Sequence, residues 1–319
     1  MARKLRLEYP GAIYHVMSRG DHGEEIFVED ADRVLFLKTL GEVCGKTEWQ
    51  VHAYCLLSNH FHLVVETPRG NLSAGMKWFL GVFTARYNRR HKIFGHLLGG
   101  RYKATVVDGS GNGYLATVCH YVHLNPARAG LLEKEKGLES YPWSSYPEYL
   151  KEPGRRPRWL RVERLLGEMQ IPKDSPAGRR RLRQAMAERL AGELDQDTSG
   201  VEAGWCFGDE EFKAELLERL GERKGKWVYG EMVRDSDIGL AEKLVKKLLK
   251  DRGWKEADLI KRRKGDPEKI ALARVLKEKS VMTNQWIASR LKMGTRQHLA
   301  FLLCRDARSR NAKIRNHGK

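Results

Sequence analysis

Two histidines separated by one residue, His60 and His62, interrupt an otherwise apolar run, CLLSNHFHLVVETP, at residues 55–68. Side chains alternate between the two faces of a β-strand, so both imidazoles are expected on one face and Phe61 on the other. Two imidazoles on the same strand face can bind one divalent cation. For an isolated pair of this kind, the commoner alternative is two hydrogen-bonded histidines beside the core.

A tyrosine and an asparagine, Tyr121 and Asn125, are four residues apart in the segment HYVHLNPARAG, residues 120–130. On a helix this spacing places both side chains on the same face, one turn apart. A tyrosine hydroxyl can attack phosphorus when a metal ion polarises the phosphate, and the amide oxygen of Asn125 can complete a metal site with the two histidines. The alternative is that Tyr121 is a core residue and that Asn125 only ends the helix before Pro126.

The elements that must position these residues alternate between strand and helix over the first 150 residues. Apolar, β-rich runs predict strands at residues 12–20, 49–57, 60–67 and 99–108. Helical spacing of apolar residues predicts helices at residues 30–47, 71–91 and 111–125, the last stopped by Pro126. This order predicts an α+β fold, a ferredoxin-like antiparallel sheet with helices on one side, followed by an all-α C-terminal region.

Pro, Gly and Ser accumulate at residues 142–158, where the periodicity of the sequence is lost. Such a stretch is typical of a domain boundary. Beyond residue 160 the patterns are helical. We therefore expect a first domain at residues 1–150, a linker and helical region of unknown role at 151–240, and a basic helical domain at 241–319.

The net charge of the chain is +18, and residues 250–319 hold 20 Lys and Arg residues against 7 Asp and Glu. Such a basic chain is expected to bind a polyanion, which can be DNA, RNA or an anionic membrane surface; a solubilising tail is the alternative for its basic end.

The five cysteines form no C-x-x-C pair. The sequence shows no signal peptide and no apolar run of the roughly 18 residues that span a bilayer. We expect a cytoplasmic protein with reduced thiols and no membrane contact.

The segment TNQWIASRLKMGTRQHLAFLL, residues 283–303, has the pattern of a helix-turn-helix, with its turn at Lys292-Met293-Gly294. An ordinary helical hairpin is the alternative. The predicted core of this motif consists of Trp286, Ile287, Leu291, Leu299 and Leu302. Three residues are then expected at the start of the recognition helix, where base edges are contacted: Arg296, Gln297 and His298.

Four segments occur in the same order as in the REP-associated tyrosine transposases: GAIYHVMSRG, LLSNHFHLVVETP, GRYKATVVD, and YVHLNPARAGLL followed by YPWSSY. Residues 8–150 thus resemble this family of single-tyrosine HUH endonucleases, which are named for a His-hydrophobic-His pair. The resemblance implies a ferredoxin-like fold in which His60 and His62 bind Mg²⁺ or Mn²⁺. It also implies that Tyr121 attacks a single-stranded DNA phosphate, leaving a 5′-phosphotyrosine and a free 3′-OH. Asn125 lies where related enzymes often place a glutamine ligand, and its shorter side chain reaches less far.

The function implied by the resemblance is DNA transposition and recombination, by cleavage and strand transfer at hairpin-forming palindromic repeats. The pattern W-I-A-x-R-L-x-M-G near the end of the chain resembles a C-terminal extension of some transposase-like proteins. A non-catalytic DNA-binding regulator that keeps the fold is one alternative, and an RNA-binding protein is another. Related enzymes include dimers and monomers, so a monomer and a homodimer are both compatible with the sequence.

Four cations are expected to hold DNA beside this site: Arg19, Arg101, Lys103 and Arg128. Solvated surface charge is the alternative for each of them. Unpaired bases usually stack on aromatic rings, and Tyr14 and Tyr102 are predicted as the stacking platforms.

Overall fold

The computed structural model describes residues 7–132, 136–192, 201, 204–223 and 229–316. The chain folds into two compact units, residues 1–227 and residues 228–319. The first unit contains the predicted sheet, and the second contains only helices among its described residues. No helix in the described part of the chain is long and apolar enough to cross a membrane.

A five-stranded sheet forms the centre of the first unit, in the order β2-β3-β1-β4-β5. Its strands are β1 (Ala12–Arg19), β2 (Gln50–Leu56), β3 (His60–Thr67), β4 (Lys103–Val107) and β5 (Cys206–Phe207). The first four strands pair antiparallel, as predicted, whereas β5 pairs with β4 in parallel. The sheet is therefore mixed, because a strand too short to leave a pattern in the sequence extends its edge.

Two helices, α1 (Asp30–Thr47) and α2 (Leu72–His91), cover one face of the sheet. The ring of Phe36 on α1 lies 4.8 Å from the ring of Phe61 on β3 and 4.8 Å from the ring of Phe79 on α2. All three side chains are fully buried. Phe61 thus has the core-facing position that strand alternation predicts for it.

A third helix, α3 (Tyr114–Arg128), lies on the opposite face, where Tyr121 contacts His62 of β3. Helices therefore cover both faces of the sheet, whereas the sequence predicted helices on one side only. A sheet covered on both faces has strands without a solvent-facing row of side chains. Leu63 and Val64, which point to opposite faces of β3, are accordingly both fully buried.

The helix α3 continues through Pro126 to Arg128, so the prediction that Pro126 stops it is wrong. A proline in a helix removes one backbone donor. Side-chain bonds hold the turns on either side together, because Asn125 Nδ2 and Arg128 Nη1 donate to the carbonyl oxygen of Tyr121 at 3.1 and 3.2 Å. A helix-stop rule based on proline alone does not include such side-chain bonds within the helix.

The first unit also includes residues 151–223, for which the sequence predicted no role. After the short helix α4 (Tyr146–Tyr149), its helices are α5 (Glu163–Glu168), α6 (Pro176–Gly192) and α7 (Glu210–Arg223). Arg164 Nη1 donates to Glu66 Oε2 of β3 at 2.8 Å. Glu168 Oε2 accepts from the backbone N–H of Ala116 at 2.9 Å, in the first turn of α3. The helix that carries Tyr121 is therefore held at its N-terminal end by the middle of the chain.

The second unit is all-α in its described residues, as predicted. Its helices are α8 (Tyr229–Lys250), α9 (Glu256–Lys261), α10 (Pro267–Lys279), α11 (Asn284–Arg290) and α12 (Arg296–Asn316). The predicted core residues Ile287, Leu291, Leu299 and Leu302 are buried, and Trp286 is partly buried against them. The α+β fold with an all-α C-terminal region is thus confirmed.

Candidate functional site

The two histidines of the HFH segment lie on the sheet face that α3 covers. The hairpin turn places them at the start of β3, since Leu57 N donates to His60 O at 2.9 Å across Ser58-Asn59. The ring centroids of His60 and His62 lie 5.1 Å apart. His60 is partly exposed, whereas His62 is only 1% exposed. The pair therefore reaches from the buried interior to the protein surface.

Tyr121, on α3, lies against His62. The centroid of its ring is 5.7 Å from that of His62, and the two rings meet edge to face. The Tyr121 side chain is 8% exposed. The structure thus brings together the predicted nucleophile and one of the predicted ligands, although 59 residues separate them in sequence.

A third histidine, His15 of β1, belongs to the same cluster and was not predicted. Met17 lies opposite His62 and His15 lies opposite Val64 in the pairing of β1 with β3, so His15 shares the face of His62. His15 Nε2 is 2.9 Å from His62 Nδ1. The two rings are stacked at 5.2 Å, and Tyr121 also contacts His15 edge to face at 5.8 Å.

Asn125 and Arg128 are tied to the backbone of Tyr121. Both side chains donate to the Tyr121 carbonyl oxygen, and Arg128 Cζ lies 4.8 Å from the centroid of the Tyr121 ring. A guanidinium over an aromatic face is attracted by the electrons of the ring. Arg128, predicted to contact DNA, therefore also holds the tyrosine ring in place. The amide nitrogen of Asn125 is used in this contact, which leaves its Oδ1 as the donor atom toward a metal.

Burial and neighbouring charge keep His62 neutral. The pKa of His62 lies well below the usual range, first because burial disfavours the charged imidazole and then because His15 and His60 stand beside it. The neutral imidazole is the form that binds metal ions.

The donor atoms of this cluster suit a divalent cation. Asn59 Oδ1 lies 2.7 Å from His60 Nδ1; an amide oxygen only accepts, so His60 carries a proton on Nδ1, and a neutral His60 then has its lone pair on Nε2. Glu66, on the same strand face, is instead bonded to His52 and Arg164. No group of three or more His, Cys, Asp or Glu residues in the described ranges has the arrangement of a metal site. The donor set predicted from the sequence, two imidazoles and one amide oxygen, therefore remains a prediction.

The predicted DNA contacts near this site divide into two groups. Arg19, Arg101 and Lys103 are exposed, and Arg19 lies opposite His60 in the pairing of β1 with β3. Tyr14 and Tyr102, predicted as stacking platforms, are 2% and 8% exposed. The stacking prediction is therefore wrong, because both rings are buried and neither offers an exposed face on which a base could stack.

An exposed aromatic ring does occur in the loop between α2 and β4. Phe94 is 100% exposed, and Ile93 beside it is 46% exposed. The end of this loop is attached to the end of β1, where Gly20 bridges with Leu98 and Gly99 N donates to Arg19 O at 2.9 Å. The sequence signal for this feature is a hydrophobic pair inside a basic loop, between His91-Lys92 and Arg101.

In the second unit, Arg296, Gln297 and His298 are all exposed in the first turn of α12. The turn before them is fixed from inside, since the fully buried Lys269 donates from Nζ to Leu259 O and to Lys292 O, each at 3.0 Å. The predicted helix-turn-helix residues thus face solvent together, next to a rigid turn.

Comparison with known proteins identifies the family that the first unit resembles. Residues 9–125 match the family model described as "Transposase IS200 like". Over this range the chain resembles the IS200-like transposases. The matched range includes His15, His60, His62 and Tyr121 and ends at Asn125. The predicted resemblance is therefore confirmed for this part of the chain, and it supports a role in DNA transposition or DNA cleavage in general.

One similar solved structure is described as "Structure of the REP associates tyrosine transposase bound to a REP hairpin". It shares 12% sequence identity with this chain, with a TM-score of 0.39, and the match covers 47% of this chain and 86% of that one. No curated protein matches the chain. The family match ends before the basic C-terminal region, so that extension lies outside it.

Proposed function

We propose that this chain is a metal-dependent endonuclease and strand transferase that cleaves single-stranded DNA beside hairpin-forming repeats, with Tyr121 as its nucleophile. The observation that carries the proposal is the 5.7 Å contact between the rings of Tyr121 and His62, with His60 beside them on the same strand face. These residues all lie in the range that matches the IS200-like transposases.

The proposed reaction exchanges one phosphate ester bond for another. The Tyr121 hydroxyl loses its proton as its oxygen forms a bond to phosphorus, and the 3′ oxygen of the preceding nucleotide leaves with the electron pair of the broken bond and takes up a proton. The products are a 5′-phosphotyrosine and a free 3′-OH. Because an ester bond is retained on the enzyme, a 3′-OH can attack the phosphotyrosine and join the strand to a new end.

The residues around Tyr121 have distinct proposed roles. His60 and His62 hold the cation through ring nitrogens, and Asn125 supplies its Oδ1 as the third protein donor. When bound, Mg²⁺ or Mn²⁺ neutralises the phosphate charge that repels a nucleophile. Arg128 orients the tyrosine ring from its outer face and brings a positive charge to the side on which the phosphate reacts.

The DNA strand is proposed to follow the exposed cations Arg19, Arg101 and Lys103, which lie near the ends of β1 and β4. Phe94 takes the stacking role that the buried tyrosines do not fill. A fully exposed ring in a basic loop has little to stabilise it in the free protein, whereas it can stack on any unpaired base. This surface suits a strand with a single-stranded flank.

A second DNA contact is proposed for the C-terminal unit. The first turn of α12 begins after a fixed turn and carries Arg296, Gln297 and His298. Arginine and glutamine are two of the side chains that read base edges in a major groove. This unit is proposed to bind duplex DNA.

The test is a covalent-adduct assay. The protein is incubated with Mn²⁺ and a labelled single strand that carries a hairpin and an unpaired flank, and the products are separated on a denaturing gel. The wild type and Tyr114→Phe are expected to form an adduct with the fragment 3′ of the cut, and Tyr121→Phe is not. Tyr114 is a matched control because it lies on the same helix but packs against Phe207, with 5.3 Å between ring centroids.

The outcomes separate the candidate functions. Loss of the adduct on chelation, and in His60→Ala and His62→Ala variants, supports metal dependence. Binding of the hairpin without any cleavage, in the wild type with Mn²⁺, would instead support the non-catalytic regulator. An adduct that persists in Tyr121→Phe would refute the assignment of the nucleophile.

A further inference from the structure

His15 stands in the cluster without a role in the proposed chemistry. It is 5% exposed, it contacts both His62 and Tyr121, and its ring nitrogen lies within hydrogen-bond distance of His62. It does not complete a metal site with the other two histidines, since no such three-residue group occurs among the described residues. We infer that His15 is a positioning residue that fixes the tautomer of His62, so that the Nε2 lone pair of His62 is available to a metal ion. This inference rests on the proposed function.

The first step concerns the proton between the two rings. His15 Nε2 and His62 Nδ1 are 2.9 Å apart, which requires a hydrogen on one of these nitrogens and a lone pair on the other. If His15 donates, a neutral His62 must carry its own proton on Nε2 and cannot bind a metal there. If His62 donates from Nδ1, its Nε2 has a free lone pair.

The contact on the other side of the His15 ring favours the second arrangement. The other nitrogen of His15, Nδ1, faces the carbonyl oxygen of Val201 at 3.5 Å. A carbonyl oxygen only accepts hydrogen bonds, so this contact is attractive only when His15 carries its proton on Nδ1. A neutral His15 then has a lone pair on Nε2, and His62 must donate to it from Nδ1. The chain of bonds runs from His62 through His15 to Val201.

His60, the other histidine of the pair, also has a hydrogen-bond partner at its Nδ1. Asn59 Oδ1 accepts from His60 Nδ1 at 2.7 Å, which leaves the His60 lone pair on Nε2. Hydrogen bonds to the second ring nitrogen are the usual means by which a protein orients metal-binding histidines. His60 has a local partner, one residue away. His62 has a partner on the neighbouring strand, and burial of both rings keeps water from replacing it.

The middle of the chain supplies the hydrogen-bond acceptor of His15 through the carbonyl oxygen of Val201. Val201 lies 186 residues from His15 in sequence and is 2% exposed. The segment that follows it is attached to β4, since Thr105 Oγ1 donates to Gly204 O at 2.9 Å and Val106 N donates to Trp205 O at 3.0 Å. The acceptor of the histidine chain thus comes from the same part of the sequence as the parallel strand β5.

The direct test is the tautomer of His62 in the full-length, metal-free protein. Nitrogen-15 NMR distinguishes the two neutral forms of an imidazole, and the His62 signals are identified by their absence in His62→Gln. We expect the form with the proton on Nδ1 in the wild type. A proton on Nε2 of His62 in the wild type would overturn the inference, whatever the variants do.

Two variants of His15 test its effect on metal binding. His15→Phe keeps a buried ring but removes the acceptor, and Mn²⁺ binding is expected to weaken about 10- to 100-fold, as for other outer partners of metal ligands. His15→Gln places an amide oxygen near the former Nε2 position, and it is expected to restore both the tautomer and most of the affinity. Affinity for the DNA hairpin without metal should be unchanged in both variants. Equal Mn²⁺ affinity in wild type and His15→Phe would contradict the inference.

Failure of the proposed function gives a different result. If the wild type has the Nδ1 proton on His62 but binds no Mn²⁺ in a calorimetric titration, the metal-dependent function is refuted. The role of His15 in selecting the tautomer is then supported, and its link to a metal is refuted.

Discussion

Replacing Phe94 by alanine is expected to weaken single-stranded DNA binding without changing the stability of the protein. The Phe94 side chain is fully exposed, so its truncation removes no packing. Surface substitutions of this kind usually change the free energy of unfolding by less than about 0.5 kcal/mol. A base stacked on an aromatic ring contributes about 1–3 kcal/mol. Because about 1.4 kcal/mol corresponds to a factor of ten, the dissociation constant should rise about 5- to 150-fold.

The position of Phe94 limits which part of the DNA is affected. Leu98, four residues further along, forms a bridge with Gly20 at the end of β1, and Arg19 lies opposite His60. Four residues of chain span at most about 14 Å. The stacked base is therefore expected within a few nucleotides of the scissile phosphate, so a substrate with an unpaired flank should lose affinity and a blunt hairpin should not.

The assay is fluorescence anisotropy with a labelled hairpin, at several fixed salt concentrations. Phe94→Ala removes no charge, so the slope of log Kd against log salt should stay the same while the affinity falls. Phe94→Trp should bind at least as well as the wild type. Val34→Ala is the matched control, because Val34 is also exposed, on α1, and belongs to no proposed contact. An unchanged affinity of Phe94→Ala, or an equal loss in Val34→Ala, would refute the stacking role.

Changing Asn59 to alanine removes the acceptor of His60 Nδ1 and should weaken Mn²⁺ binding about 10- to 100-fold in a calorimetric titration; an unchanged affinity would contradict this role. Burial alone raises the pKa of Glu66, but the hydrogen bond from His52 and the charge of a neighbouring arginine outweigh it, so the pKa is lowered. A lowered folded-state pKa gives stability that is present above the unfolded-state pKa and is lost as the pH falls through the folded-state value. Glu66→Gln should therefore lower the free energy of unfolding, measured with urea, more at neutral pH than below about pH 4, and an equal effect at both would contradict the assignment. Arg296→Gln should weaken duplex DNA binding about 5- to 150-fold in a mobility-shift titration and leave single-strand cleavage unchanged; normal duplex binding would count against α12 as the recognition helix.

Local rules were enough to predict the strand that carries the histidine pair. Alternation along β3 gives the faces of His60, His62 and Phe61 from the sequence alone, because it depends only on the pleat of one strand. The spacing of Tyr121 and Asn125 on a helix is local in the same sense. The position of α3 over β3 was predicted only through the family resemblance, because no local rule states which face of a sheet a distant helix covers.

His15 shows why the site could not be completed from the sequence. Its closeness to His62 depends on the register between β1 and β3, and a shift of one residue would place it on the other face. The contact with Val201 depends on a segment that adds a two-residue parallel strand from far along the chain. Neither the register nor this addition leaves a pattern in the local sequence.

Two predictions were wrong for different physical reasons. The aromatic residues Tyr14 and Tyr102 were expected to be accessible, but helices and loops cover both faces of the sheet. Pro126 was expected to end α3, but side-chain bonds from Asn125 and Arg128 hold the turns around it. The first error reflects tertiary packing, and the second reflects side-chain bonds within one helix.

The central claim is that Tyr121 becomes covalently linked to the 5′ end of cleaved DNA. Its most direct test is mass spectrometry of the protein after reaction with the hairpin substrate and Mn²⁺, followed by nuclease trimming and digestion to peptides. We expect a nucleotide phosphate on the peptide from α3 and on Tyr121 within it. A modification on Tyr114, or cleaved DNA with a free 5′ phosphate and unmodified Tyr121 at every time point, would refute Tyr121 as the nucleophile.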